Sequence, residues 1–226
     1  MATGAQLAHP SGFAGSLAGH LMAIANLESN QIAIRALQIS SGESVLELGV
    51  GPGCAIHMLS SASTCGRIFG IDHSATMLAQ ALRRNRHAIA HGRVHLTLGR
   101  LDILPYQNES IDKVLVVHVA YFFNKDAVEI REARRVLQPG GRMAILVTEK
   151  LTLARWRFTK FSTHRVFNRT ELISLLSRGG FSLNEITVSP ITLSFGIHGL
   201  LAVVTKTPAD AAQQMLQGAI ADCRCT

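Results

Sequence analysis

At 226 residues the chain is long enough for one large α/β domain with a buried core and too short for two ordinary domains. Hydrophobic residues make up 47% and charged residues 16%, which excludes a disordered chain, and no apolar run is long enough to span a membrane. The formal charge of +7 suits nucleic acid, an anionic membrane surface or an acidic substrate, and chooses among none of them.

Met1 to His9 lacks the charged patch and apolar core of a secretory signal, so the cytoplasm is the expected location. Cys54 and Cys65 stand in unrelated contexts, and Cys223 and Cys225 are separated by one residue. No CxxC pair supports structural zinc, and no metal is expected.

Residues 1–40 form a first section. Phe13 to Leu37 predicts helix, in two pieces with a break near Glu28 to Asn30, and Leu17, Leu21, Ile24 and Leu27 share one apolar stripe. Gly12, Gly15 and Gly19 weaken the helix and allow close backbone approach. The section reads equally as a helix packed on the domain edge or as a lid over a site.

Residues 41–207 then alternate. Val45 to Leu48 predicts a buried strand, Cys54 to Ser63 a helix, Arg67 to Ile71 a strand, and Ser74 the N-cap of a helix carrying Met77, Leu78, Ala81 and Leu82. Val94 to Leu98 and Asp112 to His118 predict the next two strands. Helix Lys125 to Leu137 stops at Gln138-Pro139-Gly140-Gly141, and Arg142 to Thr148 predicts a fifth strand. Beyond Glu149 the order breaks. Lys150 to Arg169 is irregular, basic and aromatic; Asn168 caps a helix with Glu171 in a capping-box position; and Gly179-Gly180 ends it. Strands follow near Ser182 to Val188 and Gly199 to Thr205, and residues 208–226 read as an appended amphipathic helix or a tail. Such alternation implies a Rossmann-like, mostly parallel sheet with helices on both faces.

The most informative stretch is Val45-Leu46-Glu47-Leu48-Gly49-Val50-Gly51-Pro52-Gly53. A strand feeding a glycine loop and a helix holds a cofactor at the carboxyl edge of a sheet. The spacing is GxGxG, and both frames for the dinucleotide pattern GxGxxG fail, ending at Cys54 or Ile56. Glu47, just before the loop, would repel a pyrophosphate and attract an ammonium or sulfonium. Asp72 ends the second strand roughly twenty residues on, where a carboxylate reaches ribose hydroxyls or caps the next helix.

The set VLELGVGPG, GIDHSATML, LPYQNESID and RRVLQPGGR resembles the class I S-adenosylmethionine-dependent methyltransferases, especially those of ubiquinone and menaquinone biosynthesis, over about residues 40–205. The resemblance implies a seven-stranded sheet with an antiparallel last strand, S-adenosyl-L-methionine as cofactor, and methyl transfer to a small-molecule or lipid-like acceptor. It places Gly49 and Gly51 against the methionine part, Glu47 on its amino group, Asp72 on the ribose, and His73 and Met77 beside the adenine. One departure stands out. Where the family reads Gly-Asp-Ala, this chain has Gly99-Arg100-Leu101, with Asp102 displaced by two. Arginine only donates, so either Asp102 reaches the adenine amino group or adenine rests on backbone and packing at Leu101.

Methyl transfer is a displacement that needs an aligned nucleophile, and positioning supplies on the order of several kcal/mol. A general base is needed only when the acceptor still carries a proton. His118 and Tyr121, after the fourth strand, are the candidate catalytic pair, although the family commonly uses the His118 position for backbone contact with the cofactor. Phe122 and Phe123 extend a possible acceptor wall. His87, His91 and His95 are spaced by four, but Gly92 interrupts any helix that would align them on a metal.

Lys150, Arg155, Arg157, Lys160, Arg165 and Arg169 interleave with Trp156, Phe158, Phe161 and Phe167. They read as a solvated loop with aromatic anchors, or as a cap for an anionic or amphipathic acceptor at a membrane surface. Nucleic acid is not the expected partner, because the fourth strand lacks the Asn-Pro-Pro-Tyr or Asp-Pro-Pro-Tyr motif of base methylation. The alternatives are an RNA or protein methyltransferase drawing on the positive charge, and a non-catalytic nucleotide-binding protein of the same fold, to which Arg100 lends substance.

Overall fold

Short aliphatic runs build the sheet. Val45–Leu48 (β1) is buried at every position, as a parallel strand covered on both faces must be. Ile68–Asp72 (β2), Val94–Leu98 (β3), Ile111–Val117 (β4), Leu137–Thr148 (β5), Ile186–Leu193 (β6) and Ile197–Thr205 (β7) complete it in the order β3-β2-β1-β4-β5-β7-β6. The first five pair in parallel, and β7 runs antiparallel between β5 and β6. The computed structural model describes residues 26–62, 66–150, 152 and 165–208.

Helices cover both faces. The helix over 26–37 (α1), Cys54–Ser61 (α2) and Ala75–Arg84 (α3) contribute Ala33, Leu37, Ile56, Leu59 and Ala81 to one core. Val128–Val136 (α5) and Arg169–Arg178 (α6) contribute Ile130, Ala133, Leu172, Leu175 and Leu176 to the other. A short helix, Arg86–Ala90 (α4), follows α3. The chain winds outward from β1 through β2 to β3, then returns to β4 on the opposite side of β1. This reversal opens a crevice at the carboxyl ends of β1 and β4.

The expected elements are present with shifted boundaries, and each shift has a physical cause. No break occurs near Glu28 to Asn30: α1 is continuous there, because Ser29 and Asn30 turn into the protein rather than capping a helix end. Leu27 is 47% exposed and leaves the expected apolar stripe. Helix α5 starts at Val128 rather than Lys125, since Ala127 is left-handed (φ 56°) and the Glu129 carboxylate accepts from the Asn124 amide, holding the preceding residues in a turn. The strand expected from Ser182 begins only at Ile186. Ser182 and Glu185 instead close a capping box around a 3-10 turn, Leu183–Glu185. The Asn168–Glu171 capping box forms as read. Leu17, Leu21, Ile24, most of the basic aromatic run including Trp156, and the 209–226 tail lie outside the described residues.

One buried cation secures the far edge. Lys206, directly after β7, donates from Nζ to the carbonyls of Leu137 (2.7 Å) and Arg134 (3.1 Å), and to Glu109 Oε1 (3.0 Å). The Arg134 and Leu137 oxygens belong to the exit of α5, where a helix favours positive charge. Lys206→Met should therefore lower stability by about 1.5–3 kcal/mol, the cost of losing charged hydrogen bonds. Urea unfolding should show a lower midpoint at unchanged slope; an unchanged midpoint would refute the role.

Candidate functional site

The crevice at the switch point is a cleft of about 540 Å³, within the range of cofactor pockets. Its floor is the loop after β1. The Gly49 and Val50 amides both donate to the Ile71 carbonyl, and the Gly51 amide donates to Asp72 Oδ2 at 2.8 Å. The two glycines that sequence reading placed against a cofactor have different tasks. A Cβ on Gly49 would lie 2.3 Å from Val119 Cγ2, so this glycine permits close packing of β1 on the turn after β4. At Gly51 (φ 53°) a Cβ would meet nothing within 4 Å and would point into open space, leaving a cradle for a ligand.

Glu47 stands beside that cradle. It is buried, and its Oε2 accepts no hydrogen bond. Burial, and then the nearby Asp72 carboxylate, push its pKa well above the usual carboxylate range, while the Ile56 amide pulls the other way. An orphaned acid oxygen lining an open cleft suits a cationic ligand group, which would return the carboxylate to its charged form. The residues therefore fit the amino-acid end of S-adenosylmethionine.

Asp72 is also buried, and both its oxygens are engaged by the chain itself: Oδ2 by Gly51 and Oδ1 by the Ser74 amide at 2.8 Å. The helix-capping reading and the cofactor reading are thus compatible, because each carboxylate oxygen keeps a second lone pair. Ser74 in turn accepts from the Met77 amide and starts α3. His73, Ser74 and Met77 line one end of the cleft, and Arg84 at the exit of α3 donates to the Pro52 carbonyl at 2.9 Å, pinning the loop.

Leu101 and Asp102 are not brought into this lining. Leu101 packs on the sheet core, and Asp102 forms a bidentate pair with Arg100, 2.9 Å to its Nε. The guanidinium holds the Asp102 carboxyl below the usual range.

His118 lines the opposite end, directly after β4, in a left-handed conformation (φ 57°) that non-glycine residues seldom adopt. Its Nε2 lies 3.0 Å from Ser29 Oγ and its Nδ1 lies 3.3 Å from Tyr121 Oη. Burial lowers its pKa to about 4, so the ring is neutral at physiological pH. Tyr121 stands behind the ring and accepts from the Thr148 amide at 2.6 Å. Sequence reading missed Asn26, Ser29, Asn30 and Arg84. The available signal was a pair of asparagines four apart, Asn26 and Asn30, which share one face of a helix.

Over residues 46–145 the chain matches the family described as "Methyltransferase domain". It is 34% identical over 129 residues to an uncharacterised methyltransferase, YdaC, of Bacillus subtilis, covering 57% of this chain and 69% of that one. It is 40% identical over 115 residues to an uncharacterised 37.1 kDa protein in transposon Tn4556 of Streptomyces fradiae, covering 50% of this chain. There it spans only 32% of the relative's length. Among solved structures, it shares a fold with phosphoethanolamine N-methyltransferase 2 of Haemonchus contortus, in complex with phosphomonomethylethanolamine and S-adenosylhomocysteine. The TM-score is 0.67 at 17% identity, covering 80% of this chain and 53% of that one.

Two outcomes are expected. Gly51→Val should fold, at a cost of about 2 kcal/mol for the left-handed backbone, yet fail to bind S-adenosylhomocysteine, whereas Gly49→Ala should lose more stability through the Val119 overlap. Retained affinity in a folded Gly51→Val protein would remove the loop from the site. Glu47 generates the second. Its raised pKa in the free protein should fall beside a cation, so affinity should rise with pH between the ordinary carboxylate value and the raised one, then level off. Calorimetry in two buffers across that window should detect proton release that Glu47→Gln abolishes, the ligand's amino group already carrying its proton on the acid side of neutrality. No release in the parent would refute the assignment.

Proposed function

The chain belongs to the class I S-adenosylmethionine-dependent methyltransferases, and from that premise we propose that its acceptor is a small-molecule or lipid-like compound entering beside Leu27 and Phe122. The observation that carries this reading is the position of α1. Its residues Asn26, Leu27 and Asn30 line the cleft together with the glycine loop, so an acceptor meets the cofactor beside this helix. Leu27 and Phe122, 47% and 56% exposed, give the cleft an apolar rim, which suits a lipid-like tail better than a folded macromolecule. The Haemonchus contortus enzyme, with its phosphomonomethylethanolamine, supports a small acceptor.

S-adenosylmethionine supplies the methyl group from a sulfonium centre. In the proposed arrangement Glu47 holds its amino group, Gly49 and Gly51 receive the methionine portion, Asp72 engages the ribose, and His73 and Met77 flank the adenine. Leu101 and Asp102 stand beyond the adenine, with Asp102 tied to Arg100. His118 and Tyr121 serve the acceptor side: His118 meets the acceptor and Tyr121 holds its ring from behind. A neutral imidazole of pKa about 4 retains little of an acceptor's proton at neutral pH, and its two nitrogens already face Tyr121 and Ser29, so the ring borders the acceptor as a shaped wall. Among the described residues no helix is long and apolar enough to cross a membrane. We place the enzyme in the cytoplasm, with contact at a membrane surface open to a lipid-like acceptor.

The purified protein incubated with methyl-labelled S-adenosylmethionine and separate metabolite, lipid, RNA and protein fractions should label the metabolite or lipid fraction. Label confined to RNA or protein would overturn the acceptor assignment.

A further inference from the structure

The described amino-terminal end of α1, residues 26–30, lies along the cleft. Its apolar seat on the sheet, Ala33 and Leu37, lies further along the helix, and Leu27 turns outward. Among the described residues, polar ties reach 26–30 from two sides. Glu28 Oε2 accepts from the Ser194 amide at 2.7 Å, on the side of β6 and β7, and Ser29, wholly buried, meets His118 at 3.0 Å on the cleft side.

The second tie has a definite direction. The Thr148 amide donates to Tyr121 Oη at 2.6 Å. Tyr121 is buried and keeps its proton, so its hydroxyl hydrogen is left to point at His118 Nδ1. Nδ1 is then the bare, accepting nitrogen, and the neutral ring carries its hydrogen on Nε2, facing Ser29 Oγ. The left-handed backbone of His118 aims the ring along this line.

We propose that Ser29 is a positioning residue: by accepting Nε2–H of His118 it closes the chain Thr148–Tyr121–His118–Ser29, which selects the ring tautomer and seats α1 over the cofactor cleft. This rests on the reading of the cleft as the S-adenosylmethionine site. Asn26, Leu27 and Asn30 then hold their places on the cleft wall because a hydrogen bond 89 residues away in sequence fixes the turn that carries them.

The test uses the full chain and S-adenosylhomocysteine. Ser29→Ala should weaken binding about tenfold, the equivalent of one buried hydrogen bond. His118→Asn should do the same, since asparagine tolerates the left-handed backbone but cannot span to Ser29. In the double variant the two losses should not add, because both break one link. Nitrogen NMR of the imidazole should show the parent protonated at Nε2, with the Nε2 resonance shifting in Ser29→Ala as that hydrogen loses its acceptor. Additive losses, unchanged affinity in Ser29→Ala, or an Nδ1-protonated ring in the parent would each overturn the proposal. A parent that fails to bind S-adenosylhomocysteine would overturn the cofactor reading instead, while the nitrogen spectrum still judges the hydrogen-bonded chain.

Discussion

A single carboxylate ties the pieces of the cleft together. Asp72 closes the glycine loop onto β2 through the Gly51 amide and starts α3 through the Ser74 amide. The far end of α3 returns to the same loop, where Arg84 reaches Pro52 and Asn85 Nδ2 reaches the Gly53 carbonyl at 3.1 Å. The loop is therefore clamped at both ends by one strand-to-helix unit. A ligand settling on it meets backbone already in place, and little ordering remains to offset binding.

The same carboxylate acts in an unusual field. Between Glu47 and Asp102 the chain has no acid other than Asp72, whereas Arg67, Arg83, Arg84, Arg86, Arg93 and Arg100 all fall in that stretch. In the cleft lining Asp72 and Glu47 stand with one guanidinium, that of Arg84, so the lining suits a cation although the stretch around it is basic.

Much of this was legible in the residues. The glycine spacing, Glu47 ahead of it, Asp72 at the strand end and the Asn168–Glu171 box are all local patterns, and local patterns survive folding. What could not be read depended on distant partners. Glu28-Ser29-Asn30 has the composition of a cap, but Ser29 finds His118 across the fold and the helix runs on. The start of α5 depended on a carboxylate reaching back to Asn124, and the late strand on a serine–glutamate box that turned its first residues into a 3-10 turn. The pairing of Asp102 with Arg100, two residues away, was likewise not foreseen.

The place of β7 carries a consequence for how the chain is made. It sits between β5 and β6 and comes after both in sequence, so until it is made β6 lacks the neighbour it pairs with and the outer edge of β5 stays bare. An unpaired hydrophobic edge invites pairing with other chains, and the nascent protein bears that hazard until residues past 205 leave the ribosome. Lys206, the next residue out, then fastens the inserted strand to the exit of α5. Completion of the sheet and its locking are thus consecutive events in the order of synthesis.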